Sequence, residues 1–184
     1  QIIIIIGSQT CPHNSKDSLA LKILESYLSF GMSSLLFKVF RENNGLTYDS
    51  GVFYPSRKFN APFLIYLSVS KLNASLTLKL LLSIWNDLLS KEINKNDLIL
   101  AKLKYIRSSL HNYRTCEEII FRKVRLLSLG MDPFYDEKVK DELDKLTTSE
   151  ILKVSKRYLS YPNMSISGNK QQCKYLKEIW KEKY

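Results

Sequence analysis

The stretch that decides the fold is Ser33-Ser34-Leu35-Leu36-Phe37-Lys38-Val39-Phe40-Arg41-Glu42-Asn43-Asn44-Gly45-Leu46-Thr47-Tyr48. With Met32, its apolar positions Leu35, Leu36, Val39 and Phe40 recur at helical spacing and predict one inward face. Asn43-Asn44-Gly45 is a helix stop, because glycine takes the left-handed conformation that ends a helix without a Cβ penalty. Leu46 to Tyr54 follows, rich in aromatic and β-branched residues, and predicts a strand. A helix running through a glycine turn into a strand is therefore the local plan.

Working outward gives a mixed order of elements. Ile2–Ile6 predicts a buried strand entering the loop Gly7-Ser8-Gln9-Thr10. Leu19, Ile23, Tyr27 and Leu28 line a first helix that begins near Ser15 or Asp17. Phe63–Ser70 is a second strand of the hairpin, apolar on both faces, and its connector carries Pro55 and Pro62 at its ends. Leu76, Leu80, Ile84 and Leu88 predict a helix ending near Lys91, and Asn94 caps the next, striped by Ile99, Leu103, Ile106 and Leu110. Thr115-x-x-Glu118 and Thr147-x-x-Glu150 are capping boxes that restart helices, and Gly130-Met131-Asp132-Pro133 stops one. A short strand over Met164–Ser167 precedes a last helix over Gln171–Tyr184. The fold class is α+β, with a single mainly antiparallel sheet and helices packed on one face.

Composition narrows the function classes. The chain has 184 residues, 45% hydrophobic and 25% charged, which suits one soluble domain with its own core. The run of five isoleucines is too short for a signal-peptide core or a bilayer span, so no membrane span is expected. Net charge is +10, but Lys and Arg alternate with Asp and Glu, as in Lys138-Val139-Lys140-Asp141-Glu142, without a basic block or a nucleic-acid motif. Nucleic acid is therefore not expected as a partner. Cys11, Cys116 and Cys173 are odd in number and widely spaced, which argues against a disulfide framework and for buried or half-buried thiols in the reducing cytoplasm. The two histidines, His13 and His111, lie far apart. His13 follows Cys11 across Pro12, but a zinc site needs three or four converging ligands, so His13 reads as loop and His111 as solvent-facing.

The segment from Ser33 to Tyr48 resembles the insulinase/pitrilysin family of zinc metallopeptidases, where a helix ending Leu-Phe…Arg-Glu-x-x-Gly-Leu-x-Tyr leads into a strand. The element order, the Gly-x-Asp-Pro stop and the Leu-Thr-x-x-Glu-Ile…Tyr-Leu element extend the likeness over the whole chain. The resemblance implies two homologous domains facing across a chamber. One carries zinc on an inverted H-x-x-E-H motif with its glutamate as general base. The C-terminal one lacks zinc and supplies an Arg and a Tyr, which here are Arg41 and Tyr48. This chain has neither H-x-x-E-H nor H-E-x-x-H. Residues 1–184 are accordingly expected to form one zinc-free C-terminal domain, a fragment of a longer two-domain protein, and Gln1 in first place fits that expectation. Expected partners are a zinc-bearing N-terminal domain, in the same polypeptide or as a separate subunit, and a peptide substrate. The resemblance also implies that this chain binds no cofactor and that zinc is held by the partner domain. One departure is Leu35, where many members carry an arginine. The same fold also serves as a non-catalytic scaffold or assembly subunit, the alternative reading.

Overall fold

The computed structural model describes residues 1–111 and 115–183, with the side chains of all of these except Tyr48 and residues 109–111. Strand β1 (Ile2–Gln9) leads to α1 (Ser18–Ser29) and then a short π-helix (Phe37–Glu42). The hairpin β2 (Thr47–Phe53) and β3 (Pro62–Val69) follows. Five helices come next: α2 (Ala74–Ser90), α3 (Lys95–His111), α4 (Cys116–Ser128), α5 (Tyr135–Lys145) and α6 (Thr148–Leu159). Strand β4 (Asn163–Ser167) and α7 (Lys170–Lys181) complete the chain's described part.

The sheet is four-stranded and antiparallel in the order β2-β3-β1-β4. Period-two burial follows from the pleat. Ile2, Ile4 and Ile6 of β1 and Phe63, Ile65, Leu67 and Val69 of β3 point into the core under the helices. Ile3 and Phe53 are exposed, and Leu64 and Tyr66 are half-buried. β3 is therefore internal to the sheet but covered on one face only, and its second run of apolar residues lines an open side.

β1 runs on to Gln9, past the expected loop at Gly7. Gly7 lies opposite Leu64 and Asn163, and a Cβ placed there would sit 2.5 Å from the Phe63 carbonyl oxygen. No side chain fits that close approach.

Helix contacts are pinned by buried polar side chains. Trp85 Nε1–H of α2 donates to the Leu159 carbonyl of α6 at 3.0 Å. Ser26 Oγ–H of α1 donates to the Ala101 carbonyl of α3 at 2.9 Å. Asp17 accepts hydrogen bonds from both Arg157 and the Tyr158 phenol, tying the approach to α1 onto α6. Both capping boxes form, each with the threonine hydroxyl accepting an N3 amide and the glutamate accepting the threonine amide.

Three sequence expectations are corrected. The second helix is a six-residue π-helix over Phe37–Glu42 rather than an α-helix from Met32, which is 77% exposed, although Leu36 and Phe40 are fully buried. In α2 Ile84 and Leu88 of the expected stripe are buried and Leu80 is half-buried, but Leu76 is exposed and the core face also takes in Ala74, Leu78, Leu81 and Trp85. α2 is apolar nearly all round, so spacing alone could not choose the buried row. In α3 the predicted stripe faces outward at Ile99 and Leu103, while Leu98 and Ala101 are buried; the Leu110 side chain lies outside the described residues.

Gly7→Ala should destabilise the domain by about 1–3 kcal/mol, the usual cost of an overpacked site. Urea unfolding followed by circular dichroism would measure it.

Candidate functional site

The π-helix sets the position of Arg41. Its Asn43 N–H reaches back to the Lys38 carbonyl at 2.9 Å, an i→i+5 bond that widens the last turn. Gly45, at φ +57°, then reverses the chain, and its N–H bonds the Arg41 carbonyl at 3.1 Å. Leu46 N–H closes the turn on the Phe40 carbonyl at 2.7 Å. The helix stop read from Asn43-Asn44-Gly45 is thus present, with Asn44 also donating its side-chain amide to the Val39 carbonyl. Because Phe40 is fully buried, the turn is anchored in the core while Arg41 beside it stays exposed.

The strand that follows carries an irregularity at the predicted site. Thr47 pairs with Val69 and Asp49 with the adjacent Ser68, so Tyr48 is the extra residue of a β-bulge. The Thr47 hydroxyl fills the bulge, donating toward the carbonyls of Asp49 and Ser68 and accepting the Asp49 N–H at 3.2 Å. The Tyr48 side chain lies outside the described residues, as does that of His111. The bulge sits on an edge strand, seven residues along the chain from Arg41.

Arg41 itself stacks on Phe37, with its guanidinium carbon 5.2 Å from the ring centroid. The two are four residues apart, which places them one above the other on a helix. Together with Ser29, Met32, Asp49 and Ser50 they line a cleft of about 280 Å³. No hydrogen bond or ion pair engages the Arg41 guanidinium among the described residues. A planar fork of N–H donors held flat on an aromatic ring, with open donors, suits a carbonyl or carboxylate. The sequence reading named Arg41 without the Phe37 ring on which it stacks, although their i, i+4 spacing was the available signal. It also missed Asp49 and Ser50 as cleft walls.

A largely buried ion pair holds the chain just past β2 against α1. Lys22 Nζ donates to Glu25 at 3.0 Å and to the Tyr54 carbonyl at 2.6 Å, and Glu25 accepts the Tyr54 N–H at 3.3 Å. Burial pushes the Glu25 carboxyl above the usual range, and Lys22 pulls it partly back. Burial likewise pushes the Tyr54 phenol up, helped by Cys11, whose sulfur lies 3.9 Å from its oxygen.

His13 lies in the turn that precedes α1, as read, but is buried there. It is 6% exposed, and its Nδ1 has no hydrogen-bond partner among the described residues. Burial, then Lys22, Arg122 and Arg125, holds its pKa down at about 4. Cys11 is also buried, whereas Cys116 is exposed, against expectation. No group of three or more His, Cys, Asp or Glu side chains converges to hold a metal among the described residues. No helix among them is long and apolar enough to cross a membrane.

Residues 1–105 match the profile of a family described as the peptidase M16 inactive domain. No curated protein sequence matches the chain. Among solved structures, the M16 inactive domain from Pseudomonas fluorescens superposes with a TM-score of 0.81 at 18% identity, covering 91% of this chain and 40% of that one. A protease from Helicobacter pylori gives 0.79 at 17% identity, covering 90% and 40%. The inactive peptidase domain of a candidate zinc protease from Bordetella parapertussis gives 0.77 at 14% identity, covering 92% and 91%. The chain thus spans about two fifths of the first two and nearly all of the third. At these identities the likeness establishes the fold.

Two outcomes follow from the site. Acidification from pH 6.5 toward 4 should erode stability through His13, because the unfolded chain takes up the proton first. In a His13→Gln variant that part of the loss should vanish from urea midpoints measured across the window. Arg41→Ala should leave the unfolding midpoint within about 0.5 kcal/mol of wild type, since Arg41 is an exposed side chain with no hydrogen bond or ion pair among the described residues.

Proposed function

Because the chain belongs to the M16 peptidase family, matching its inactive domain, we propose that it is the substrate-contacting, zinc-free half of a zinc-dependent metalloendopeptidase and hydrolyses no peptide alone. The observation that carries this reading is Arg41, laid on Phe37 at the lip of a cleft with its donors unengaged among the described residues. Zinc does not fit this chain: His13 is hemmed by cations, Cys11 contacts Tyr54, and no third ligand converges among the described residues. The metal and its water belong to a homologous sister domain.

What this chain contributes is positioning. Arg41 donates paired N–H bonds to a carbonyl or carboxylate of the bound peptide, fixing the chain's direction across the cleft. Tyr48, at the bulge, donates its phenol O–H to the oxyanion forming on the scissile carbonyl. The bulge supports this role, because an extra residue re-aims what a regular strand would commit to one face. Peptide specificity does not follow from the basic balance.

The test is co-expression with the zinc-bearing sister domain and turnover of a quenched peptide. Tyr48→Phe should lower kcat by about 10²-fold, the scale of one lost oxyanion donor. Arg41→Ala should lower kcat/KM by about tenfold or more, with unchanged unfolding midpoints. A zinc-loaded wild-type pair that turns over no peptide would overturn the peptidase reading and leave the scaffold role.

A further inference from the structure

A second cleft, of about 360 Å³, lies between the start of α1 and the Gly130-Met131-Asp132 turn that joins α4 to α5. It sits past the Gln9 end of β1, whereas the Arg41 cleft borders Asp49, which pairs with Ser68 toward the opposite end of the sheet. His13 lines this second cleft and is 6% exposed, yet its Nδ1 has no hydrogen-bond partner among the described residues. The Ser18 hydroxyl donates to the His13 carbonyl at 2.6 Å, which fixes the residue against the start of α1. A buried polar group without a partner carries a cost that a bound ligand can remove.

The helix start beside it is unmet as well. Asp17 stands at the N-cap position, where an aspartate ordinarily accepts the first amides. Its side chain makes no cap bond and accepts from Arg157 and Tyr158 instead. The N–H groups of the buried Leu19 and Ala20 are thereby left without an acceptor among the described residues, and Leu19 borders the cleft. Lys16 brings an exposed ammonium to the same place, and Lys22, Arg122 and Arg125 add a positive field at His13, opposed by Asp136. Two carboxylates also line the cleft. Asp132 is engaged, one oxygen accepting the Phe134 N–H at 2.9 Å and the other the Lys138 ammonium at 2.6 Å. Glu142 is exposed beside the Tyr135 phenol, where solvent screens it. We propose that this cleft binds a phosphate group, free or as a monoester, through the amides that open α1, the His13 ring and Lys16. A tetrahedral phosphate has acceptor oxygens enough for donors arriving from a helix start, a ring and a flexible ammonium. With its pKa held at about 4, the His13 ring is neutral at pH 7 and offers one N–H.

The chain has two histidines, His13 and His111, so imidazole NMR of the whole chain reads the site directly. At pH 7, added inorganic phosphate should shift the His13 ring resonances saturably, and the signal missing from His13→Phe identifies them. Lys16→Ala should weaken this binding about fivefold or more, the scale of one lost charge-assisted hydrogen bond. Lys16 is exposed, so its truncation leaves the core intact, and circular dichroism would verify this. Arg41→Ala should leave the titration unchanged, because its guanidinium lines the other cleft. Tighter binding of glycerol phosphate would assign the monoester as the ligand, and equal binding the free ion. A His13 ring indifferent to both compounds would overturn the proposal, as would a shift that Lys16→Ala leaves undiminished or that Arg41→Ala abolishes.

Discussion

β1 is hydrogen-bonded along both edges, to β3 on one side and β4 on the other. It therefore joins the first residues of the chain, the hairpin, and a strand more than 150 residues later. Its inner isoleucines form the floor on which the helices close, and its Gly7 permits an approach to the Phe63 carbonyl that any side chain would block. Burying three isoleucines contributes several kcal/mol, since each full burial is worth roughly 1.5–3 kcal/mol. Those contacts are non-local, so forming the sheet carries the loop-closure entropy of the chain between its strands.

The cleft depends on that sheet by a short chain of contacts. β3 positions β2, and the Lys22–Glu25 pair with the Tyr54 backbone fastens the end of β2 to α1. Breaking either partner of such a pair leaves a largely buried charge without compensation, so the two stand or fall together. At the other end of β2, Gly45 and the buried Phe40 hold the π-helix against the strand. Arg41 is thus an exposed side chain on a backbone that has little freedom. Such pre-organisation is what a positioning residue needs, since flexible donors would spend binding energy on being ordered.

Some features were legible in the sequence for reasons that are local. Thr115 and Glu118, and Thr147 and Glu150, satisfy one another's neighbouring amides wherever they occur, so both capping boxes appear as read. Gly45 must supply a left-handed turn, and Pro55 and Pro62 bound a hairpin loop because proline cannot extend a ladder inward. The Phe37 platform and the Asp49–Ser50 wall were not legible, because each becomes part of the cleft only when the π-helix and the bulge set their angles.

By itself, then, the sequence determined the α+β class, the antiparallel hairpin, most helix ends, and the lack of any H-x-x-E-H ligand pair. Those are matters of short-range hydrogen bonding, spacing and residue chemistry. Tertiary structure alone decided which row of α2 and α3 faces inward, that His13 is buried with an unmet ring nitrogen, and that α4 turns a second apolar side to the surface. A helix with more than one apolar row carries no local information about which row to bury. The choice falls to whatever surfaces the rest of the chain presents to it.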